Sequence, residues 1–232
     1  MARFKVSNGS KIVVDPEPDS DTASMRVYLL GSCLGAMLFQ RGLLVLHGNA
    51  IEIDGKCMIC VGPSGVGKST LTAAFLQRGF RVLADDVVPI DPSRNAIPGY
   101  PRIKLWQDVA DKLGIETKKL DEIRPGMKKY NYPLGTAFCD KPIPVGMICL
   151  LSPHAKDTIE VTRVQGMDRF SALYGNTYRQ QFVEGMGLQS AHLRQCGELG
   201  ARTSILRVSR PTSGFRIEAL MQCLLEAMRE IA

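Results

Sequence analysis

The chain has 232 residues, of which 45% are hydrophobic, 22% charged and 6% aromatic, and its 29 Lys and Arg against 23 Asp and Glu give a net charge of +6. At about 150 residues per domain, this length predicts one large domain with a continuous core. The balanced composition excludes disordered, collagen-like and solenoid chains.

The N-terminal segment carries no export signal, because it turns polar at residues 7–10 before an apolar signal core could form. The most hydrophobic stretch, residues 27–39, is shorter than the roughly 20 residues of a membrane-spanning helix and contains glycine and serine. The seven cysteines are odd in number and widely scattered, which indicates reduced thiols. We therefore expect a soluble cytoplasmic protein with no membrane partner.

The first third of the chain reads as strands and one helix. We predict two short strands around Asn8-Gly9 over residues 3–14 and a helix over 22–40. A strand follows over 43–53, then a turn at Asp54-Gly55 and a buried strand over 57–61. Cys57 and Cys60 form a C-x-x-C on that last strand. Residues three apart on a strand point to opposite faces, so packing is favoured there over metal or redox chemistry.

A glycine-rich motif follows the buried strand and precedes a helical segment, residues 71–78. It satisfies the phosphate-loop pattern G-x-x-x-x-G-K-[ST], whose backbone amides and helix N-terminus bind phosphate. In such loops the lysine reaches the β- and γ-phosphates and the serine binds Mg²⁺. The predicted nucleotide-binding residues are Gly62, Pro63, Ser64, Gly65, Val66, Gly67, Lys68, Ser69 and Thr70.

Two adjacent carboxylates, Asp85 and Asp86, close the next predicted strand, residues 81–84. They come directly after the loop helix, which favours a compact kinase over large ATPases, whose acidic strand lies farther downstream. One carboxylate can bind Mg²⁺ beside Ser69 while the other accepts a proton from an attacking hydroxyl. An ordinary turn is the alternative reading of an Asp-Asp pair.

The remainder alternates between loop and regular structure. Residues 89–144 are predicted to be mostly loop with one short helix over 107–113. Two strands are predicted over 145–151 and 158–164, around a Ser152-Pro153 turn. Helices are predicted over 167–178 and 190–200, followed by a strand over 203–208 and a final helix over 217–231. The last helix repeats apolar residues every three or four positions, which is typical of a core helix. The pattern indicates an α/β fold with a mixed sheet and flanking helices.

Five segments together resemble the catalytic domain of bacterial HPr kinase/phosphorylase: Leu46-His47-Gly48, Ile53-Asp54-Gly55-Lys56, the phosphate loop, Arg78-Gly79 and Leu83-Ala84-Asp85-Asp86. Residues 98–106 and 176–179 are similar to shorter HPr-kinase-like proteins, some of them associated with lasso-peptide maturation. The resemblance implies a P-loop kinase domain of the HPr kinase C-terminal or phosphoenolpyruvate carboxykinase-like type over 1–232. Residues 1–41 would pack on a phosphate-loop core of residues 42–90.

The resemblance also implies an activity: ATP-dependent phosphorylation, with Mg²⁺, of a serine hydroxyl in a peptide or protein, above all a ribosomally made lasso-type precursor peptide. Two alternatives stay open, a nucleotide-binding regulatory or assembly ATPase and an HPr-type serine kinase/phosphorylase. The family's Glu-x-Arg-Gly sequence is not visible in this chain, where Tyr100-Pro-Arg-Ile stands instead. A homo-oligomer is compatible with the resemblance. Nucleic acid is not an expected partner, because the chain lacks a basic helix and an aromatic stacking stripe.

Individual roles follow by position. The implied catalytic residues are Asp85, Asp86, His47 and Lys68, and the implied metal ligands are Ser69 and Asp86. The sequence does not decide which carboxylate is the base. The candidate phosphate or substrate contacts are Arg102, Lys128 and Arg179. Without the resemblance, His47 reads as a packed, hydrogen-bonded strand histidine.

Overall fold

The computed structural model of the protein describes residues 2–212, 214 and 216–231. It begins with two antiparallel strands, β1 (Ala2–Ser7) and β2 (Lys11–Pro16), which form a two-stranded sheet of their own. Between them, Asn8 and Gly9 have φ values of 55° and 61°. Asparagine and glycine tolerate this left-handed backbone better than other residues do. The predicted N-terminal hairpin is confirmed.

A long helix follows the hairpin, as predicted. It consists of α1 (Thr22–Tyr28), a π-helical turn (Leu29–Cys33) and α2 (Leu34–Gln40). The Asp21 carboxylate caps its start by accepting hydrogen bonds from the first backbone amides of the helix. The capping residue and the apolar composition together account for the observed boundaries.

The combined helix, Thr22–Gln40, is 19 residues long with a mean hydropathy of 1.3, which by length and composition is enough to cross a membrane. The expectation that no apolar segment approaches that length is wrong for this helix, because it extends beyond the most hydrophobic stretch at its N-terminal end. A third of the stretch is buried within the protein (33%). Core helices of water-soluble proteins meet the same criterion, so the helix alone assigns no location.

The remaining strands and helices build the main body. In chain order they are β3 (Leu44–Leu46), β4 (Gly48–Ile53), β5 (Lys56–Val61), α3 (Lys68–Gln77), β6 (Val82–Asp85), β7 (Val88–Ile90), β8 (Asn95–Ala96), β9 (Arg102–Trp106), α4 (Gln107–Lys112), β10 (Lys129–Pro133), β11 (Ile143–His154), β12 (Glu160–Arg163), α5 (Met167–Tyr174), α6 (Gln181–Gly185), α7 (Gln189–Arg202), β13 (Ser204–Pro211) and α8 (Ile217–Ile231).

Nine of these strands form one mixed sheet. Its main path runs β3-β7-β8-β11-β5-β4-β6, while β13 pairs with β11 and β12 with β13. The pairs β5–β11 and β11–β13 are parallel, and the other pairs are antiparallel. Strands β9 and β10 form a separate antiparallel pair. The predicted mixed sheet with flanking helices is confirmed.

Helices cover both faces of the large sheet. On one face α3 and α8 pack through apolar side chains that include Phe75 and Leu224, and on the other α5 and α7 pack through Leu173 and Leu199. Strand β5 contributes to both layers, with Cys57 in one apolar cluster and Cys60 in the other. The prediction that these two thiols face opposite sides of the sheet is confirmed, as is the core position of the last helix.

The predicted strand over residues 43–53 is in fact two strands. Strand β3 pairs with β7, whereas β4 pairs with β5 and β6. The chain changes partners at His47, whose backbone N–H donates to the carbonyl of Asn176 at 2.7 Å. Both strands are buried, so hydrophobicity gives no sign of the break.

The predicted turn at Ser152-Pro153 is wrong. Both residues lie inside β11, whose ladder with β13 continues to His154. Strand β5 pairs with β11 only as far as Leu150, so Pro153 occupies a stretch of β11 that has a partner on one side only. Proline is tolerated there because its missing N–H interrupts no second ladder.

The segment predicted as loop, residues 89–144, contains the expected short helix as α4 but also several strands. These strands, β7 to β10, have two to five residues each and lie in a segment rich in Pro, Gly and charged residues. Such short pieces carry too few positions to establish a period of two. The structure also adds α6, which the sequence pattern does not predict.

Candidate active site

The phosphate loop leaves the carboxyl end of β5 near the middle of the sheet. Strand β5 is flanked by β4 and β11, so the loop starts from a strand paired on both sides. Three of its glycines, Gly62, Gly65 and Gly67, have φ values of 144°, 80° and 103°. Helix α3 begins at Lys68, so its free N-terminal amides and positive dipole end point into the loop, as phosphate binding requires.

Gly62 is required by contact as well as by conformation. A Cβ added at this position would lie 2.5 Å from the carbonyl oxygen of Leu151, an atom of the neighbouring strand that cannot turn aside. At Gly65, by contrast, an added Cβ would meet nothing within 4 Å. The first glycine of the motif therefore sets how closely the loop approaches β11.

We predict that Gly62→Ala destabilises the protein by roughly 2 kcal/mol or more, since it adds backbone strain and a collision with fixed backbone. Gly65→Ala, which adds strain without a collision, is the matched control and should be the milder change. Denaturant unfolding of both variants without nucleotide measures the difference. Equal destabilisation by the two variants would contradict the contact argument.

Lys68 is folded back onto the loop. Its ammonium donates hydrogen bonds to the carbonyls of Gly62 at 2.8 Å and Pro63 at 3.1 Å. Burial lowers its pKa, and the negative charges of Asp85 and Asp86 partly oppose this. A partly desolvated ammonium next to fixed loop carbonyls is placed to turn toward a phosphate that enters the loop.

A cavity of about 670 Å³ opens over the loop. The predicted residues that line it are His47, Ser64, Gly65, Gly67, Lys68, Ser69, Thr70, Asp85 and Asp86. Three predicted loop residues do not line it. Gly62 and Pro63 instead present their carbonyls to Lys68, and Val66 is buried in the core beneath the loop.

Asp85 faces the phosphate loop. One carboxylate oxygen accepts hydrogen bonds from the Asn49 amide at 2.6 Å and the Ser69 hydroxyl at 3.2 Å, and the other accepts from the backbone N–H of Lys104 at 2.7 Å. Burial raises the pKa of Asp85 to about 6, and the charge of Asp86 adds to the rise. A carboxylate this costly to keep ionised gains from a cation placed beside it.

Asp86 is held by two basic side chains. Its carboxylate lies 2.7 Å from the Lys104 ammonium and 3.3 Å from Nδ1 of His47. Burial alone would raise its pKa, but the Lys104 ammonium and the hydrogen bond to it outweigh burial and leave the pKa below its usual value. The backbone of Asp86 has a φ of 77°, rare for a residue other than glycine and often found at functional sites.

The pKa values of the two adjacent carboxylates are thus shifted in opposite directions. Asp85, next to Ser69, has a raised pKa, whereas Asp86, next to Lys104, has a lowered one. Such divergence between neighbouring titratable groups is typical of pairs that divide two chemical tasks. The sequence prediction put Asp86 with Ser69 at the metal, but the carboxylate that contacts the Ser69 hydroxyl is Asp85.

His47 orients Asp86. Its Nδ1 lies 3.1 Å from the Asp86 carbonyl oxygen in addition to its contact with the carboxylate. Burial and the charge of Lys68 lower its pKa, so the ring is neutral near pH 7 and, since both partners are acceptors, carries its proton on Nδ1. Its place in the chain, at the switch between β3 and β4, fixes this orientation.

Several site residues were missed by sequence analysis. Asn49 is buried and bridges Thr72 and Asp85. Lys104 lies on β9, in a segment predicted to be loop. If β9 had been predicted as a strand, the alternation of its side chains would have shown that Lys104 can face Asp85 and Asp86.

Two further cavity residues come from outside the motif. Lys129 lies with its ammonium 5.0 Å from the ring centre of Trp106, which is 46% exposed at the cavity wall. Arg210 donates from Nε to the carbonyl of Val66 at 2.8 Å and so braces the phosphate loop from β13. Arg210 has no local sequence signature, whereas Lys129 directly follows the candidate contact Lys128 in the chain.

The three predicted basic contacts lie in different places. Arg102 does not line the large cavity but a smaller one beside it, which Asp85 and Asp86 also line. Lys128 is exposed and does not line the large cavity, where its neighbour Lys129 lies instead. Arg179 is exposed beside a third, polar cavity that reaches Asp86.

The donor set fits Mg²⁺. Among the described residues no cluster of three or more His, Cys, Asp and Glu side chains could hold a metal by itself. The Ser69 hydroxyl and the Asp85 carboxylate place two oxygen atoms side by side at the phosphate loop. Magnesium is commonly bound in this way, with one or two protein oxygens completed by substrate phosphates and water.

Comparison with known proteins agrees with these features. Residues 42–108 match the model of the HPr serine kinase C-terminal domain family. An HPr kinase/phosphorylase of Clostridium botulinum is 32% identical over 71 residues, 30% of this chain and 23% of that protein. One of Lactobacillus acidophilus is 40% identical over 62 residues, 27% of this chain and 19% of that protein.

The structure of the Hpr(Ser) kinase/phosphatase from Coxiella burnetii aligns with a TM-score of 0.36 and 14% identity, over 80% of this chain and 94% of that one. The sequence matches span less than a quarter of the length of the two curated relatives. The match to the family model covers the segment that carries the phosphate loop, Asp85 and Asp86. Residues 42–108, less than a third of the chain, are similar to the HPr serine kinase C-terminal domain.

Proposed function

We propose that this protein transfers the γ-phosphoryl group of ATP to a serine hydroxyl of a peptide or protein in the cytoplasm. The observation that carries the proposal is the pair of differently held carboxylates at the phosphate loop. Asp85 contacts Ser69 beside the loop, and Asp86 lines both the large cavity and the smaller one that Arg102 also lines. A nucleotide bound in one cavity and an acceptor in the other would meet at Asp86.

In this proposal the loop amides, Lys68 and the N-terminus of α3 bind the nucleotide phosphates. Ser69 and Asp85 are the residues that would hold Mg²⁺, which supplies charge neutralisation at the phosphates when bound. Arg210 and Lys129 line the same cavity and add positive charge. Phosphoryl transfer depends chiefly on such positioning and electrostatic stabilisation.

Asp86 is the general base of the proposed reaction. The serine oxygen forms a bond to the γ-phosphorus, the bond between that phosphorus and the ADP oxygen breaks, and the serine proton passes to the Asp86 carboxylate. His47 and Lys104 hold that carboxylate in place and keep it ionised before transfer. They are positioning residues in this scheme.

The proposed acceptor is a serine in a ribosomally synthesised precursor peptide of the lasso type. This part rests on the sequence resemblance of residues 98–106 and 176–179 to HPr-kinase-like proteins of peptide maturation. An HPr-type protein acceptor is the competing choice. The family match over residues 42–108 supports a kinase of this general kind without distinguishing the two acceptors.

Radiolabelled ATP tests the proposal. The purified chain is incubated with γ-labelled ATP and Mg²⁺ together with a lasso-type precursor peptide, with HPr, or with no acceptor, and label on phosphoserine is measured. Label on the precursor peptide is the expected result. Label on HPr alone would move the assignment to an HPr-type kinase, and free phosphate alone would indicate a regulatory or assembly ATPase.

A further inference from the structure

A second cavity of about 300 Å³ adjoins the first at the two carboxylates. We call it the flank cavity. Its walls are apolar side chains of the long N-terminal helix on one side and of the segment after β7 on the other, namely Leu30, Leu34, Leu38, Ile97, Pro98 and Tyr100. Asp85 and Asp86 line both cavities, so the flank cavity ends where phosphoryl transfer is proposed to occur.

The helix wall presents a regular apolar stripe. Leu30, Leu34 and Leu38 recur every four residues, which places them on one face of the helix. All three are only partly buried, although the residues behind them in α2, such as Ala36 and Phe39, lie in the interior. Part of the apolar surface of this helix, namely the three leucines, therefore lines a cavity.

The same cavity contains a cation without an acidic partner. The Arg102 guanidinium lies 5.8 Å from the centre of the Tyr100 ring and makes no hydrogen bond or ion pair with any side chain in the described part of the protein. Burial lowers its pKa, Tyr100 partly opposes this, the positive charge of Arg26 adds to the lowering, and the charge of Asp85 opposes it. The two other cations that line the cavity already have partners: Lys104 is paired with Asp86, and Arg41 donates to the carbonyl of Gly9.

These features define a ligand that is apolar and acidic at once. An apolar side chain would fill the space between the leucine stripe and Ile97, and a carboxylate would pair with Arg102. Successive residues of an extended peptide are only about 3.3–3.6 Å apart. A segment held in this way therefore brings an adjacent hydroxyl to Asp86.

We propose that the flank cavity binds the acceptor segment of the substrate, a peptide in which the serine is flanked by a large apolar residue and an acidic residue. This inference rests on the proposed kinase function. It adds the chemical class of the acceptor, which is selected by the leucine stripe and Arg102 together. The nucleotide cavity takes no part in that selection.

Direct binding tests the inference independently of phosphoryl transfer. Four fluorescein-labelled peptides with a central serine carry leucine or alanine on one side and glutamate or lysine on the other, and each is titrated with the ADP-bound protein by fluorescence anisotropy. We expect the leucine/glutamate peptide to bind most tightly. Alanine should weaken binding at least about tenfold, and lysine roughly threefold or more.

The variant Arg102→Glu tests whether the peptides bind in the flank cavity. The variant should lose its preference for glutamate and prefer the leucine/lysine peptide, while its affinity for ADP stays unchanged. Arg229→Glu, an equal charge change at an exposed position on α8, is the matched control and should behave as wild type. Unchanged ADP binding verifies that each variant is folded.

The outcomes separate the two proposals. Equal binding of all four peptides, no binding, or no effect of Arg102→Glu would overturn the flank-cavity inference even if a serine is phosphorylated elsewhere. Selective binding of the leucine/glutamate peptide with no labelling by γ-labelled ATP would support the cavity as a peptide site and contradict the kinase function.

Discussion

Asp86→Asn is expected to bind nucleotide normally and to transfer phosphate about 10²- to 10⁴-fold more slowly than the wild type, the usual contribution of a general base. Asparagine preserves the size of the side chain but cannot accept the serine proton at neutral pH. Since Asp86 contacts His47 and Lys104 rather than the phosphate loop, the loop should retain its nucleotide. Single-turnover transfer and ADP affinity, measured on the same preparation, test both parts.

Lys104→Met is the companion variant for Asp86→Asn. Lys104→Met removes the cation beside Asp86 without touching its carboxyl group, so it should lower the rate less and shift the dependence on Asp86 to higher pH, because the Lys104 ammonium lowers the pKa of Asp86. Transfer that is undiminished in Asp86→Asn would remove this residue from the base role.

The second large effect is expected at Asp85. Asp85→Asn should abolish the contribution of Mg²⁺ to ATP binding, weakening affinity in magnesium at least about tenfold while leaving affinity in EDTA unchanged. The reason is that Asp85 and the Ser69 hydroxyl form one oxygen pair at the loop. Isothermal titration with and without magnesium measures the difference between the two conditions.

Ser69→Ala is the companion variant for this test. It removes the other half of the same oxygen pair, so its loss of magnesium dependence should resemble that of Asp85→Asn, and the double variant should lose little more. If Asp86→Asn rather than Asp85→Asn removed the magnesium effect, the metal position predicted from the sequence would be correct and the geometric assignment wrong.

The features that sequence reasoning captured are local ones. The phosphate loop, its helix and the carboxylates after the next strand could be predicted because spacing along the chain fixes their geometry: Lys68 must start a helix, and Asp85 must end a strand beside it. The final helix could be predicted because fifteen residues give several repeats of its period. The alternation of Cys57 and Cys60 follows in the same way from strand geometry.

The features that escaped prediction depend on contacts between distant segments. Lys104 reaches the carboxylates only because β9 crosses beside β6, and Arg210 supports the loop from a strand 144 positions away from Val66. The assignment of Asp85 to the Ser69 side depends on which carboxylate turns toward the loop, and that contact appears only in the folded structure. No periodicity in the chain encodes these three relationships.

The position of β5 within the sheet has a consequence for how different parts of the protein open. Its backbone amides are paired on both sides, by β4 and by β11, whereas the hairpin of β1 and β2 pairs only with itself. In amide hydrogen exchange, β5 should therefore be protected up to global unfolding, while the hairpin should exchange through local fraying. The phosphate loop follows a strand that is paired on both sides, whereas the leucine stripe belongs to the helix that follows the separate hairpin. If the flank cavity binds the acceptor as proposed, mutations in the N-terminal helix are expected to change acceptor preference without weakening nucleotide binding.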